Sequence, residues 1–195
     1  YEISTRDWSS DVCSSDLSSV KDAEELFALG ADRILVGSSA FSDPQVVRDC
    51  VERWGSQAVV GGISLKRFNG EPMAVRSDRT SVPEMTAREA VALVQELGVG
   101  EVLLNSVDRD GSLSGYDQEA FGEVLKEISV PTVLAGGAGN WGHLLWGIRS
   151  AGVAGVATSN IYHLTSGAIL AAKAFLAENG VPVRSVQQEP EDYFL

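Results

Sequence analysis

Apolar residues in this chain follow two spacings that take turns. Val47, Cys50, Val51 and Trp54 lie three and four apart, as do Ala90, Leu93, Val94 and Leu97. Phe121, Val124, Leu125 and Ile128 repeat the spacing, and so do Trp141, Leu144, Leu145 and Ile148. Each set lines one face of a helix. Between them stand short, unbroken apolar runs at Arg33–Val36, Ala58–Ile63, Glu101–Asn105, Pro131–Leu134 and Val153–Ala157. Runs without alternation predict strands buried on both faces, which is the condition of a parallel sheet under helices.

Polar residues punctuate the pattern. Ser19 with Asp22, and Thr86 with Glu89, have the spacing of a capping box, in which each end of the motif satisfies an orphan amide of the first turn. Ser42 with Gln45 reads as a third cap, followed by Pro44 in the first turn. Gly30, Gly55 and Gly98 close the preceding helices. Lys66 to Pro83 is polar and predicts a loop with a small hairpin. A last helix is expected from about Gly167 to Glu178.

The units are related to one another. Ala28 to Ser38, Glu96 to Ser106 and Ser150 to Ser159 each place a helix-ending glycine before a strand that ends in a small polar residue. Repeated units of this kind predict an α/β fold, an incomplete (β/α)8 TIM barrel with about five parallel strands and covering helices. A whole barrel takes about 250 residues, so roughly 70 are expected to be absent.

Composition narrows the functional classes. The net charge is −12, which disfavours a nucleic acid or an anionic membrane as partner. The two cysteines make no disulfide framework. No signal peptide is read, and a cytoplasmic location is expected. Tyr1 to Leu17 carry a Ser/Asp excess without periodicity, and Asp7 to Leu17 resemble one reading frame of a standard sequencing adapter. Residues 1–17 are therefore expected to be foreign to the fold and to pack poorly, leaving 18–195 as the barrel-like domain.

In α/β barrels the strand-to-helix loops build the site. Here they include Gly37-Ser38-Ser39, Ser64 to Arg67, Asn105 to Ser112, Gly136 to Gly139, and Thr158 to Asn160. Glycines let backbone amides approach an anion, and serine hydroxyls add donors, so an acidic protein can still hold phosphate. Asp108-Arg109-Asp110 sets two carboxylates around an arginine. One can be held ionised by Arg109 while the other faces the barrel mouth as acid or base.

With these motifs in hand, the chain resembles the cyclase family of imidazole glycerol phosphate synthase. The carriers are Gly98 to Asp117, Val130 to Gly139, Ser39 with Asp43-Pro44, and Gly55-Ser56-Gln57. The resemblance implies a bisphosphorylated ribonucleotide substrate and ammonia from a glutaminase (glutamine amidotransferase) partner docked on the far face. The products would be imidazole glycerol phosphate and an aminoimidazole carboxamide ribotide, and no cofactor is implied. Gly37 and Ser38 match one phosphate site, where the family has Asn at the position of Gly37. Gly137, Gly139, Thr158 and Ser159 match the other. Asp110 matches a site carboxylate, and Asn105 stands for a family Thr. Arg33 and Glu101 match a charged gate over the ammonia path, with Arg33 in place of a Lys. Asp32 matches a glutaminase contact.

One departure bears on catalysis. The second catalytic aspartate of the family, at the end of the Ala58–Ile63 strand, is Ser64 here, and a hydroxyl cannot replace a carboxylate in proton transfer near neutral pH. The first catalytic aspartate would lie on a strand not present, so the chain by itself is expected to lack turnover. Cys50 reads as a packed core residue, and His143 and His163 have no metal-ligand spacing, so no metal is expected. Three readings follow. They are the histidine-pathway cyclase, a divergent paralogue feeding ammonia to amidate a surface-polysaccharide sugar, and a non-catalytic phosphate-binding barrel.

Overall fold

The computed structural model describes residues 17–76, 85–158, 161 and 168–183. Helix α1 spans Val20–Ala28 and begins on the expected capping box, with Asp22 N–H donating to Ser19 Oγ at 3.2 Å and Ser19 N–H donating to Asp22 Oδ2 at 2.8 Å. Strand β1 (Ile34–Val36) leads to a single turn, α2 (Ser39–Ser42), and then to α3 (Pro44–Trp54). Ser42 is not the cap of α3. It sits in the α2 turn and its hydroxyl donates to the Ser38 carbonyl, so Asp43 takes the cap position with no side-chain cap bond and Gln45 bonds Asp49 instead.

Strand β2 (Val59–Phe68) runs past the expected end at Ile63. Asn69 and Gly70 both have positive φ, the backbone that lets a two-residue turn follow the strand twist, and β3 (Glu71–Val75) folds back on β2. The short β4 (Met85–Thr86) pairs with β3 and runs into α4 (Ala87–Glu96), capped by Thr86 and Glu89 as expected. Then follow β5 (Glu101–Ser106), α5 (Gln118–Val124), β6 (Thr132–Ala135), α6 (Trp141–Ser150), β7 (Gly155–Val156) and α7 (Ala168–Glu178). Helix α5 is shorter than its apolar stripe suggests, because Leu125–Glu127 tighten into a 3-10 turn.

Five strands are parallel, in the order β1-β2-β5-β6-β7. The antiparallel hairpin β3-β4 is an excursion from the edge of β2 above β1. β1 pairs with Val59 to Gly61 and β3 with Ser64 to Phe68. Helices cover one face of the sheet, where Ile34, Val36, Val102, Leu104 and Leu134 are fully buried against a core that includes Val47, Cys50, Val94 and Phe121. Leu35, Leu103, Val133 and Ala135 point to the other face and are half-buried. The result is an α/β fold of parallel strands under helices, consistent with an incomplete (β/α)8 barrel.

Residues 1–16 lie outside the described residues. Leu17 is described and departs from the expectation of poor packing. It is buried in the main core, because an apolar side chain just ahead of the α1 cap is withdrawn from water together with Ala23 of that helix.

Candidate functional site

The carboxyl ends of the parallel strands open into two hollows. The first is lined by Gly37 after β1, by Ser64 of β2, by Asn105 of β5 and by Asp110, with Arg76 closing one side. The second is lined by Asn105 and Asp110 again, by Gly136 and Gly137 after β6, and by Thr158 after β7. Asn105 and Asp110 thus form a wall common to both. Residues of four expected loops line the hollows, since loops that follow adjacent parallel strands emerge on the same side of the sheet, whereas Ser64 to Arg67, read as a loop, belong to strand β2.

The loop carrying Asp110 is held at four points. Its first turn is closed by the Asp110 amide donating to the Ser106 carbonyl at 2.9 Å. Asp108 accepts the Arg67 amide of the β2 extension at 2.8 Å. Further on, the Gly115 amide donates to the Gly137 carbonyl at 2.8 Å. Tyr116 donates its hydroxyl to the Ala157 carbonyl at 3.1 Å, so the carboxyl end of β7 is tied to the same loop. Arg109 does not pair with either neighbouring carboxylate as expected. Its guanidinium donates to Ser114 Oγ at 3.0 Å, because the turn directs it along the loop. The Asp108 carboxylate is occupied by an amide, and Asp110 is exposed in the mouth.

The glycines after β6, expected to hold phosphate, have a packing reason of their own. A Cβ at Gly137 would come within 2.3 Å of the Gly115 carbonyl oxygen, and one at Gly139 within 2.1 Å of the Leu113 carbonyl oxygen. Only glycine lets the Asp110 loop lie this close to the β6 loop. Gly139 is not among the residues lining the second hollow, and its amide donates to His143 Nδ1 at 3.1 Å. His143 is itself part of the α6 start, where its amide donates to the Asn140 cap at 3.0 Å. Ser159 and His163 lie outside the described residues. Ser38 is half-buried beside Gly37 but does not line the hollow.

Charged residues also meet at the opposite ends of the strands. Arg33, just before β1, is ion-paired with Glu101, the first residue of β5, across the start of β2. Asp32 is exposed next to them. Cys50 is buried in the core as expected, and burial, followed by the nearby Asp49 charge, pushes its thiol up from the ordinary value. Among the described residues no group of three or more His, Cys, Asp or Glu side chains could hold a metal, and no helix is long and apolar enough to cross a membrane.

Sequence reasoning missed Arg76. It falls inside the stretch read as a polar loop, and its place in the mouth depends on hairpin register. The signal was Asn69-Gly70, which fixes Phe68 opposite Glu71 and so Ser64 opposite Val75, one residue before Arg76.

The strand order and the loops at the carboxyl ends define a barrel-type βα-repeat protein whose loops gather at the strand mouths. Residues 16–167 match the family of histidine biosynthesis proteins, and the chain belongs to that family. It is 38% identical over 168 residues to the imidazole glycerol phosphate synthase subunit HisF of Chlorobaculum parvum. It is 37% identical over 168 residues to that of Chlorobaculum tepidum, and 39% identical over 171 residues to that of Chlorobium phaeobacteroides strain BS1. Each match takes in 86% of this chain and 67% of the relative.

Proposed function

We propose that this chain provides the cyclase function of imidazole glycerol phosphate synthase. It would take a bisphosphorylated ribonucleotide across the two hollows and ammonia from a glutaminase partner. The observation that carries the reading is the wall shared by the hollows. Asn105 and Asp110 stand between the Gly37 loop and the Gly137 and Thr158 loops, so one elongated substrate with an anionic group at each end would present its middle to Asp110. The likeness to relatives named HisF supports the same reading.

In this reading Gly37 and Ser38 hold one phosphate, and Gly137, Thr158 and Ser159 hold the other, with Gly139 shaping the loop rather than offering its amide. Asp110 moves protons at the reacting centre and Asn105 orients the substrate. Ser64 occupies the position of a second carboxylate and supplies only a hydrogen-bonding hydroxyl. The Arg33–Glu101 pair gates ammonia arriving from the far face, where Asp32 contacts the glutaminase. The enzyme works in the cytoplasm.

The test is ammonium-dependent consumption of the bisphosphorylated ribonucleotide by a chain completed to its relatives' full length, measured at steady state so that no glutaminase is needed. Asp110→Asn should lower turnover by about 10²–10⁴-fold, the usual cost of a lost general acid or base. Ser64→Asp should raise it. Equal rates for the completed parent and its Ser64→Asp variant would remove the catalytic assignment of that position. If neither form reacts while both bind the nucleotide, the amidating-paralogue reading, which the hydroxyl at Ser64 favours, replaces this one.

A further inference from the structure

The β2-β3 hairpin places Arg76 at the edge of the first hollow. Strand β2 continues past its pairing with β1, turns at Asn69-Gly70, and returns so that Val75 is opposite Ser64. Arg76 follows directly and lines the hollow together with Gly37, Ser64, Asn105 and Asp110. The chain is strongly acidic, at −12, yet the only cationic side chain among the described residues lining this hollow is Arg76. The one carboxylate among them is Asp110, whose loop follows β5, whereas Arg76 and Gly37 belong to the β2 edge where β1 and β3 both pair. The hollow is therefore polarised, with an anion on one wall and a cation beside the glycine loop.

We propose that Arg76 is a specificity-determining ligand that binds the anionic group, a phosphate, of a substrate seated against the Gly37-Ser38 loop. The inference rests on the reading that the mouth takes a phosphorylated substrate, and it adds a residue that reading does not require. A guanidinium presents a planar fork of donors that matches two oxygens of one phosphate, whereas backbone amides and a serine hydroxyl supply single bonds. The hairpin gives that fork a fixed approach, because Arg67 ties its turn down through the Gly70 carbonyl at 2.7 Å and reaches Glu119 of α5 at 3.2 Å. A charged ligand on an excursion of the sheet also lets this hollow select its anion independently of the second hollow.

The experiment is a titration of the full chain with inorganic phosphate, followed through the backbone amide resonances of Gly37 and Ser38 for the first hollow and of Gly137 and Thr158 for the second. Arg76→Ala should shift the midpoint at Gly37 and Ser38 to about tenfold higher phosphate, the lower end expected for a lost charged hydrogen bond. Gly137 and Thr158 should keep their midpoint. Arg76→Lys should fall between, since it retains the charge and loses the fork. An unchanged midpoint at Gly37 and Ser38 in Arg76→Ala overturns the role of Arg76 and leaves the phosphate reading intact, whereas a parent-chain response confined to Gly137 and Thr158 overturns the role of Arg76 together with the phosphate assignment of the first hollow. No response at either hollow in the parent chain overturns both.

Discussion

The two ends of the parallel strands are built from different materials. At the amino ends, Arg33 and Glu101 lock neighbouring strands with an ion pair, and the backbone continues the ladder, as where Val102 N–H donates to the Pro131 carbonyl at 2.9 Å. At the carboxyl ends the strands release their chains into loops held by hydrogen bonds both within and between them. One end spends its charged residues on holding strands together. The other leaves Asp110 exposed, and both it and Arg76 line the first hollow. The difference teaches where substitutions should read out as stability and where as binding or turnover, the division that barrel folds keep between their two faces.

That division can be broken or sharpened by measurement. The largest stability effect should come from neither end but from the strand interiors between them. Leu104→Ala removes a fully buried side chain of β5 and should cost about 2–5 kcal/mol in urea unfolding. Asp110→Asn in the mouth should change the same unfolding curve by no more than about 0.5 kcal/mol, as for other exposed positions, while in the completed chain it lowers turnover. A large stability loss at Asp110 would erase the contrast. At the amino ends, Glu101→Gln should cost about 0.5–1 kcal/mol, because Arg33 is half exposed and solvent screens the pair. High salt should shrink that difference.

The smallest effect concerns the helix caps that precede the strands. Asp22 is held below the ordinary carboxylate value by the Ser18 amide and then the Ser19 hydroxyl, and Glu89 by the Thr86 hydroxyl and then its amide. A carboxylate with a lowered folded value stabilises the protein above its unfolded value and loses that contribution as pH falls through the folded one. The caps should therefore weaken below about pH 4. The double variant Asp22→Asn with Glu89→Gln should show a thermal midpoint that falls less steeply than the parent's between about pH 5 and pH 3. An equal slope would place the acid sensitivity elsewhere.

Much of this was legible along the chain. The two capping boxes at Ser19 and Thr86 formed as their spacing required, because a cap is a contact between residues three apart. The helical stripe through Val47 and Cys50 and the buried runs at Ile34, Val102 and Leu104 took their places for the same local reason, the period of the backbone. Ser42 misled because a hydroxyl can bond backward to a carbonyl as readily as forward to an amide, and the turn of α2 offered the Ser38 carbonyl. Gly139 misled in another way. Its value lies in the 2.1 Å that separates a would-be Cβ from the Leu113 carbonyl oxygen, a distance between segments far apart along the chain.

By itself the sequence determined the order of strands and helices, the side of the sheet on which the loops emerge, and the family to which the chain belongs. These depend on local periodicity and on the rule that parallel units all point one way. Only the tertiary structure decided that Asn105 and Asp110 form a wall between two hollows, that Arg109 turns to Ser114, and that Arg76 reaches the mouth. Such placements depend on register between strands and on how closely two loops can approach. A shift of one residue in the β2-β3 pairing would turn the opposite set of hairpin side chains toward the hollow, and local spacing carries no term for it.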